Sequence, residues 1–286
     1  MKIYIPRRTD DKELGGGWTF VHNLITALEG KVEFVQGFGS CDIFFIPGPT
    51  IAERDAVEEA KRMGKKIILR VDNIPRNSRN RNTSTSRLKR FAELADVVIY
   101  QSEWAREWVS PFIKKDGVVI LNGTNDKIFK PSGPKVEKEG SPQYLYSRYN
   151  RDETKMWEIC WYEFQRLYYR NDNAHLWMVG KFSNEQKEYN FDFFGGSENN
   201  YSYMGVIKDQ ETMAQIYRGA DYLIYPYVLD ACSNVLIEAI MCGTKVLYFG
   251  DSDNSAWEIL NTDKKEFTLK AMGKKYLDVF NSVMSN

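Results

Sequence analysis

Asp221-Tyr-Leu-Ile-Tyr-Pro-Tyr227, Asp230-Ala-Cys-Ser-Asn-Val-Leu-Ile-Glu238-Ala-Ile-Met-Cys-Gly243 and Thr244-Lys-Val-Leu-Tyr-Phe249 follow one another almost without a break. The outer two read as apolar strands and the middle one as a helix over Ser233–Met241, with small polar residues at its start. Backbone N–H groups at such a start are a ready site for a phosphate. Asp230 and Glu238 have seven residues between them. Ordinary uses for the pair are an N-cap acid and a surface glutamate. Glu238, however, is flanked by Leu236, Ile237, Ala239 and Ile240. A glutamate in that apolar setting needs a hydrogen-bond partner, which a ribose diol would supply. A nucleotide-sugar fits the stretch.

Working outward, short β-branched or aromatic runs alternate with helical patterns. Strands are expected at 2–6, 32–35, 42–46, 66–71, 97–101 and 118–121, with helices at 19–28, 51–63, 86–94 and 102–113. The segment Lys130–Pro142 holds three Pro and two Gly and reads as an interdomain linker. Alternation then restarts, with strands at 144–147, 174–179, 202–204, 221–227 and 244–249 and helices at 154–169, 210–218, 233–241 and 270–284. Residues 182–200 lack a clear period and are expected as a long loop. Strand–helix alternation predicts parallel sheets covered on both faces. The expected division is a first domain over 1–130, a linker over 131–142, a second domain over 143–269, and a C-terminal helix over 270–286 that can pack back on the first. Two such halves imply a cleft, with ligands beyond the carboxyl ends of the strands.

Composition narrows the classes. The chain has 286 residues, enough for two domains. Lys+Arg and Asp+Glu are both 39, so any electrostatic preference comes from local patches. The 4 cysteines form no C-x-x-C pair, which argues against zinc and redox motifs and suits reduced thiols in a cytoplasmic protein. The start, Met-Lys-Ile-Tyr-Ile-Pro, reads as a strand and not as a signal peptide. No apolar run reaches the length of a membrane span.

Three further features fall after strands. Gly15-Gly16-Gly17 opens the first helix, where glycines let backbone approach a ligand; a surface turn is the alternative. The arrangement is not G-x-G-x-x-G, which counts against a dinucleotide oxidoreductase. Asp72 ends the strand Leu69-Arg-Val-Asp-Asn73, where a carboxylate can orient an acceptor hydroxyl or bind a sugar hydroxyl, or else cap a turn. Arg148 and Lys155 flank the loop after 144–147. Two cations there can neutralise a leaving pyrophosphate, the alternative being a solvated pair. Asp251-Ser-Asp253 is formally D-x-D but sits as a turn and cap before Ala256–Leu260, so no metal is expected. His22 and His175 have no neighbouring ligand set and are given structural roles.

The chain resembles glycosyltransferase family 4, retaining enzymes of the GT-B fold. The residues that carry the likeness are Asp230…Glu238-Ala-Ile-Met-Cys-Gly243, Ser147-Arg148…Lys155, Leu121-Asn-Gly-Thr-Asn-Asp-Lys-Ile-Phe-Lys-Pro131 and Ala95–Trp104. The family usually has Glu where this chain has Asp230, and Gly where it has Ser147. The likeness implies two Rossmann-like parallel-sheet domains facing each other across a cleft, the first taking the acceptor and the second the nucleotide-sugar. It implies that Gly15, Gly16 and Gly17 line the donor, that Arg148 and Lys155 hold its diphosphate, and that Ser233, Asn234 and Val235 offer amides to it. Glu238 would bind ribose, Asp230 the transferred sugar, and Asp72 would serve the catalytic loop. Transfer would retain the anomeric configuration, without metal or other cofactor, from a UDP-sugar as co-substrate.

One stretch points to the acceptor. Between Arg70 and Arg90 lie Arg76, Arg79, Arg81, Arg87 and Lys89, with Asp72 as the only acid. Arg with hydroxyl side chains suits phosphate contacts, so an acidic acceptor is expected, bound by Arg76, Arg79 and Arg81. DNA carrying a hydroxylated base is favoured over a lipid-linked or cell-surface glycan, since no amphipathic basic helix is visible; such a base must leave the stack. A solvated loop is the plain alternative. Rival readings are a sugar-nucleotide epimerase, opposed by the scarcity of histidine, and a non-catalytic nucleic-acid-binding protein, opposed by zero net charge.

Overall fold

The structure is a computed structural model. It describes residues 1–6, 16–75, 82–147, 155–193, 200–226, 229–250 and 252–285, without the side chains of 82–84 and 189–193. The chain forms two compact units: Met1–Thr124 with Leu229–Ser233 and Asp253–Asn286, and Asn125–Val228 with Asn234–Ser252.

The first unit runs β1 (Lys2–Tyr4), α1 (Gly16–Ala27), β2 (Glu33–Val35), β3 (Ile43–Ile46), α2 (Arg54–Arg62), β4 (Lys66–Val71), α3 (Asn82–Leu94), β5 (Val97–Tyr100), α4 (Glu103–Ile113) and β6 (Val118–Val119). The strands lie in the order β2-β1-β3-β4-β5-β6, all parallel. Every residue of β3, Ile-Phe-Phe-Ile, is buried. A parallel strand covered on both faces has no polar side to show, hence the unbroken apolar run. The order reverses between β1 and β3, the kind of place where open α/β sheets bind ligands.

The second unit runs β7 (Gln143–Ser147), α5 (Trp157–Tyr168), β8 (His175–Val179), α6 (Asn184–Phe193), β9 (Tyr201–Gly205), α7 (Gln210–Gly219), β10 (Tyr222–Pro226), α8 (Asn234–Cys242) and β11 (Lys245–Phe249). Its parallel order is β11-β10-β7-β8-β9, reversing between β7 and β10. Trp161 anchors the core, its ring 4.9 Å from that of Tyr201 in an edge-on contact. Residues 130–142 contain neither strand nor helix. They lie along this unit: Arg218 donates to the carbonyls of Pro134 and Ile128, and Trp177 Nε1 donates to Glu139 at 2.6 Å.

The chain ends with α9 (Ser255–Leu260) and α10 (Leu269–Ser285), both in the first unit. Tyr276 and Phe280 of α10 each place a ring 5.8 Å from Phe45 of β3. All four cysteines are free and buried.

Each expected strand and helix is present, with ends shifted by a few residues. The long loop expected at 182–200 is corrected. Its first part is α6, opened by a capping box: Gln186 N–H donates to Ser183 Oγ at 3.2 Å, and Ser183 N–H donates to Gln186 Oε1 at 2.8 Å. Truncating Phe280 to alanine should cost about 3–5 kcal/mol in denaturant unfolding, because the fully buried ring closes the first unit's core. A loss below about 1 kcal/mol would show that α10 does not belong to that core.

Candidate functional site

In the second unit the site is built around Glu238, in the middle of α8. Leu236, Ile237, Ala239 and Ile240 bury that part of the helix, and Glu238 itself is 8% exposed. Desolvation pushes its carboxyl up to about 8 from an ordinary 4.5, and a hydrogen bond from Tyr217 opposes the rise. That bond, Tyr217 hydroxyl to Glu238 Oε2, is 3.4 Å. Tyr217 comes from α7 and is fully buried. Burial and then the Glu238 charge hold its own hydroxyl protonated, and Ser147 also hydrogen-bonds to it. Ser147 is the last residue of β7, beside the sheet's reversal point. Asn234 and Val235, half-buried, form the first turn of α8. On a helix, positions four apart share a face, so Asn234 and Glu238 lie roughly one turn from each other along one side of α8.

Lys155 stands just before α5. Its carbonyl accepts from the Tyr146 hydroxyl at 2.9 Å. Met156 after it takes a left-handed backbone, φ 49°, which turns the chain into the helix. Arg148, expected beside it, lies outside the described residues, as do Gly15, Arg76, Arg79, Arg81 and Asp251.

The first unit holds the other candidates. Gly16 and Gly17 open α1. Asp72 follows β4 and lines a pocket of ≈ 90 Å³ with Pro49, Thr50, Asn73, Ile74 and Pro75. Its carboxylate lies against Gly48, where an added Cβ would meet the Asp72 Cγ at 2.6 Å. Only glycine therefore lets that loop approach the acid so closely. Asp230 and Ser233 also belong to this unit, while Asn234 and Glu238 belong to the second. Sequence spacing made them one motif, yet the fold divides it between Ser233 and Asn234. The larger recess of ≈ 590 Å³, between Lys138 and His175 in the second unit, contains none of the expected site residues.

The basic stretch needs correction. Arg70 is no surface cation: it is 2% exposed. Its guanidinium donates to Pro47 O at 2.9 Å, Gln101 Oε1 at 2.6 Å and Asn122 Oδ1 at 2.9 Å, and it lies 3.6 Å from the centre of the Phe20 ring. Burial lowers its basicity, partly offset by Tyr276 and Asp72. Arg90 pairs with Glu58 at 2.9 Å and Glu93 at 3.0 Å, and Arg87 with Glu53 at 3.5 Å. Lys89 caps the Phe112 ring. Glu53 and Glu58 lie 34 and 32 residues upstream of the arginines they pair with, so a count over the basic stretch could not reveal the neutralisation. Asp251 of the formal D-x-D lies outside the described residues, and the residue that caps α9 is Asn254, accepting from Ala256 N and Trp257 N at 3.0 Å each. Among the described residues no group of three or more His, Cys, Asp or Glu could hold a metal ion.

Residues 145–270, less than half of the chain, match the sequence model of the family Glycosyl transferases group 1. No curated protein sequence matches the chain. Solved structures share its fold at low identity. Sucrose-phosphate synthase from Thermosynechococcus elongatus gives a TM-score of 0.70 at 16% identity over 99% of each chain. HepE of Anabaena in complex with UDP gives 0.67 at 13% identity, over 98% of this chain and 99% of that one. A glycosyltransferase of Rickettsia africae gives 0.68 at 15%, over 100% and 98%. The fold is that of GT-B glycosyltransferases. The family match and this fold together support a glycosyltransferase.

Glu238 gives a pH test. Because its carboxyl titrates higher in the folded chain, the folded state keeps a proton that the unfolded state has already released between pH 4.5 and about 8. Stability is thus fully present below pH 4.5 and falls as pH rises through that window. Relative to Glu238→Gln, the parent chain should lose up to roughly 5 kcal/mol across it, at about 1.4 kcal/mol per unit. Parallel curves for the two proteins would contradict the burial of an ionisable Glu238.

Proposed function

We propose that the chain is a retaining, metal-independent glycosyltransferase that takes a UDP-sugar and moves the sugar to a hydroxyl acceptor. The observation that carries this is Glu238: an acid buried in an apolar helix with one hydrogen-bond partner among the described residues, the Tyr217 hydroxyl. A buried carboxylate so thinly satisfied is strongly disfavoured unless a ligand completes it. Two vicinal hydroxyls of a ribose would do so. The first amides of α8 lie roughly one helical turn away, which suits a diphosphate joined to that ribose. UDP is the nucleotide to test first because it is the one held by the HepE structure.

In this reading Ser233, Asn234 and Val235 present amides to the diphosphate, with Lys155 and Arg148 as its cations. Asp230 contacts the sugar, Gly15, Gly16 and Gly17 leave room for it, and Asp72 orients the incoming hydroxyl. The glycosidic C–O bond to phosphate breaks as the bond to the acceptor oxygen forms on the same face. The departing phosphate takes the acceptor's proton. Such a reaction depends on stabilising charge that develops on the diphosphate, which preorganised amides and cations supply. The expected basic surface does not extend to the described cations, since Arg87 and Arg90 are paired with acids. Arg76, Arg79 and Arg81, the cations expected to meet an acidic acceptor, lie outside the described residues, so the proposal names no acceptor class beyond a hydroxyl.

Calorimetric titration with UDP, ADP and GDP tests the reading. UDP should bind the parent protein, and Glu238→Ala should weaken it by about tenfold or more, the loss of charge-assisted hydrogen bonds. Affinity should rise with pH toward 8 as Glu238 ionises. EDTA should leave transfer unchanged. Absence of UDP binding, or equal binding by Glu238→Ala, overturns the assignment.

A further inference from the structure

The segment Asp230–Ser233 is pinned by polar groups from the carboxyl edge of the first unit's sheet. Asn122, just past β6 and 4% exposed, is central. Its Oδ1 accepts from Arg70 Nη2 at 2.9 Å, and its Nδ2 donates to the carbonyl of Cys232 at 3.1 Å. Its backbone N–H points at Cys232 Sγ, 3.5 Å away. Alongside, the fully buried Ser102 donates to the carbonyl of Ala231 at 2.6 Å and accepts from Ala105 N at 3.0 Å. Ser255 Oγ donates to the carbonyl of Asp230. Three consecutive carbonyls of the segment are thereby each held by a side chain from a different part of the unit. A loop held so densely is fixed in position, whereas surface loops ordinarily leave their carbonyls to water.

We propose that Asn122 and Ser102 are positioning residues: they fix Asp230 and Ser233 for transfer by clamping the backbone between them, with Arg70 orienting the Asn122 amide. This rests on the donor-binding role given above to Asp230 and Ser233. The amide of Asn122 must present oxygen to Arg70 and nitrogen to Cys232, and a guanidinium on one side leaves it no other orientation. Both act through the backbone of the segment they hold. Their effect on the reaction is the accuracy with which the segment is placed, and small misplacements at a reacting centre are costly.

Asn122→Asp separates the two halves of the clamp. The new carboxylate still accepts from Arg70, so the core contact survives, but it has no N–H for the Cys232 carbonyl. Ser102→Ala removes the second clamp and gives an independent variant. Hydrogen exchange in the absence of any nucleotide should show the amides of residues 230–234 exchanging about fivefold or more faster in each variant, with β4 and β5 unchanged. With UDP-sugar, kcat should fall by about tenfold to a hundredfold, and KM for the acceptor should not move. Unchanged exchange at 230–234, or faster exchange spread over the whole first unit, overturns the clamp. Faster local exchange with kcat unchanged overturns its positioning role. If the parent protein turns over no UDP-sugar, the functional reading fails and with it the positioning role, while the exchange data still decide the clamp.

Discussion

A guanidinium buried at the carboxyl edge of a parallel sheet has to find its hydrogen bonds among whatever oxygens the strand ends provide. Arg70 takes them from Pro47 after β3, Gln101 after β5 and Asn122 after β6, and rests on Phe20 of α1. None of these acceptors is charged. Desolvation of a cation is expensive, and three neutral acceptors, an aromatic face and the nearby Tyr276 and Asp72 offset it. Removing one leaves a buried charge short of partners, so the requirement holds the ends of β3, β5 and β6 in fixed relation to β4. The loops after those strands include the Asp72 turn and the Asn122 corner. Arg70 therefore sets the geometry from which the candidate residues of the first unit project.

Glu238 presents the opposite case in the second unit. It too is buried and ionisable, but its partner among the described residues is a single phenol at 3.4 Å. The carboxyl responds by holding its proton to about pH 8. Arg70 makes three hydrogen bonds inside the fold, with only its Nε left without one, and is structural on the count of its partners. Glu238 has acceptor capacity to spare and lies on the same side of α8 as the helix start. A buried acid in that condition is tolerated by the empty protein as a neutral group and becomes useful as an anion when hydroxyls reach it. The contrast between the two groups, more than burial itself, separates a core residue from a site residue.

How far the sequence speaks depends on the range of the interactions involved. Apolar runs such as Ile43-Phe-Phe-Ile46 made the parallel strands legible, because burial on both faces writes itself into consecutive positions. Glu238 was legible for the same local reason, through its apolar neighbours. The role of Arg70 was hidden, since its acceptors lie 23, 31 and 52 residues away and an arginine counted in a basic stretch looks solvated. Arg87 and Arg90 looked like a field for the same reason, with Glu53 just before α2 and Glu58 on it. α6 was hidden although Ser183 and Gln186 form a capping box, because its sequence has no apolar residue before Tyr189 to set a helical period.

The acid–seven–acid spacing illustrates the limit most sharply. Along the chain, Asp230 and Glu238 read as one device on one helix. In the fold the backbone of Asp230, Ala231 and Cys232 is held by Ser255, Ser102 and Asn122 of the first unit, and Glu238 is held by Tyr217 of the second. The helix start at Asn234 is where the chain passes from one compact unit to the other. The seven-residue spacing thus runs from a backbone held within the first unit to a side chain held within the second. With Glu238 kept on Tyr217, a residue inserted in the first turn of α8 would turn Asn234 by about 100° about the helix axis and off the side that carries Glu238.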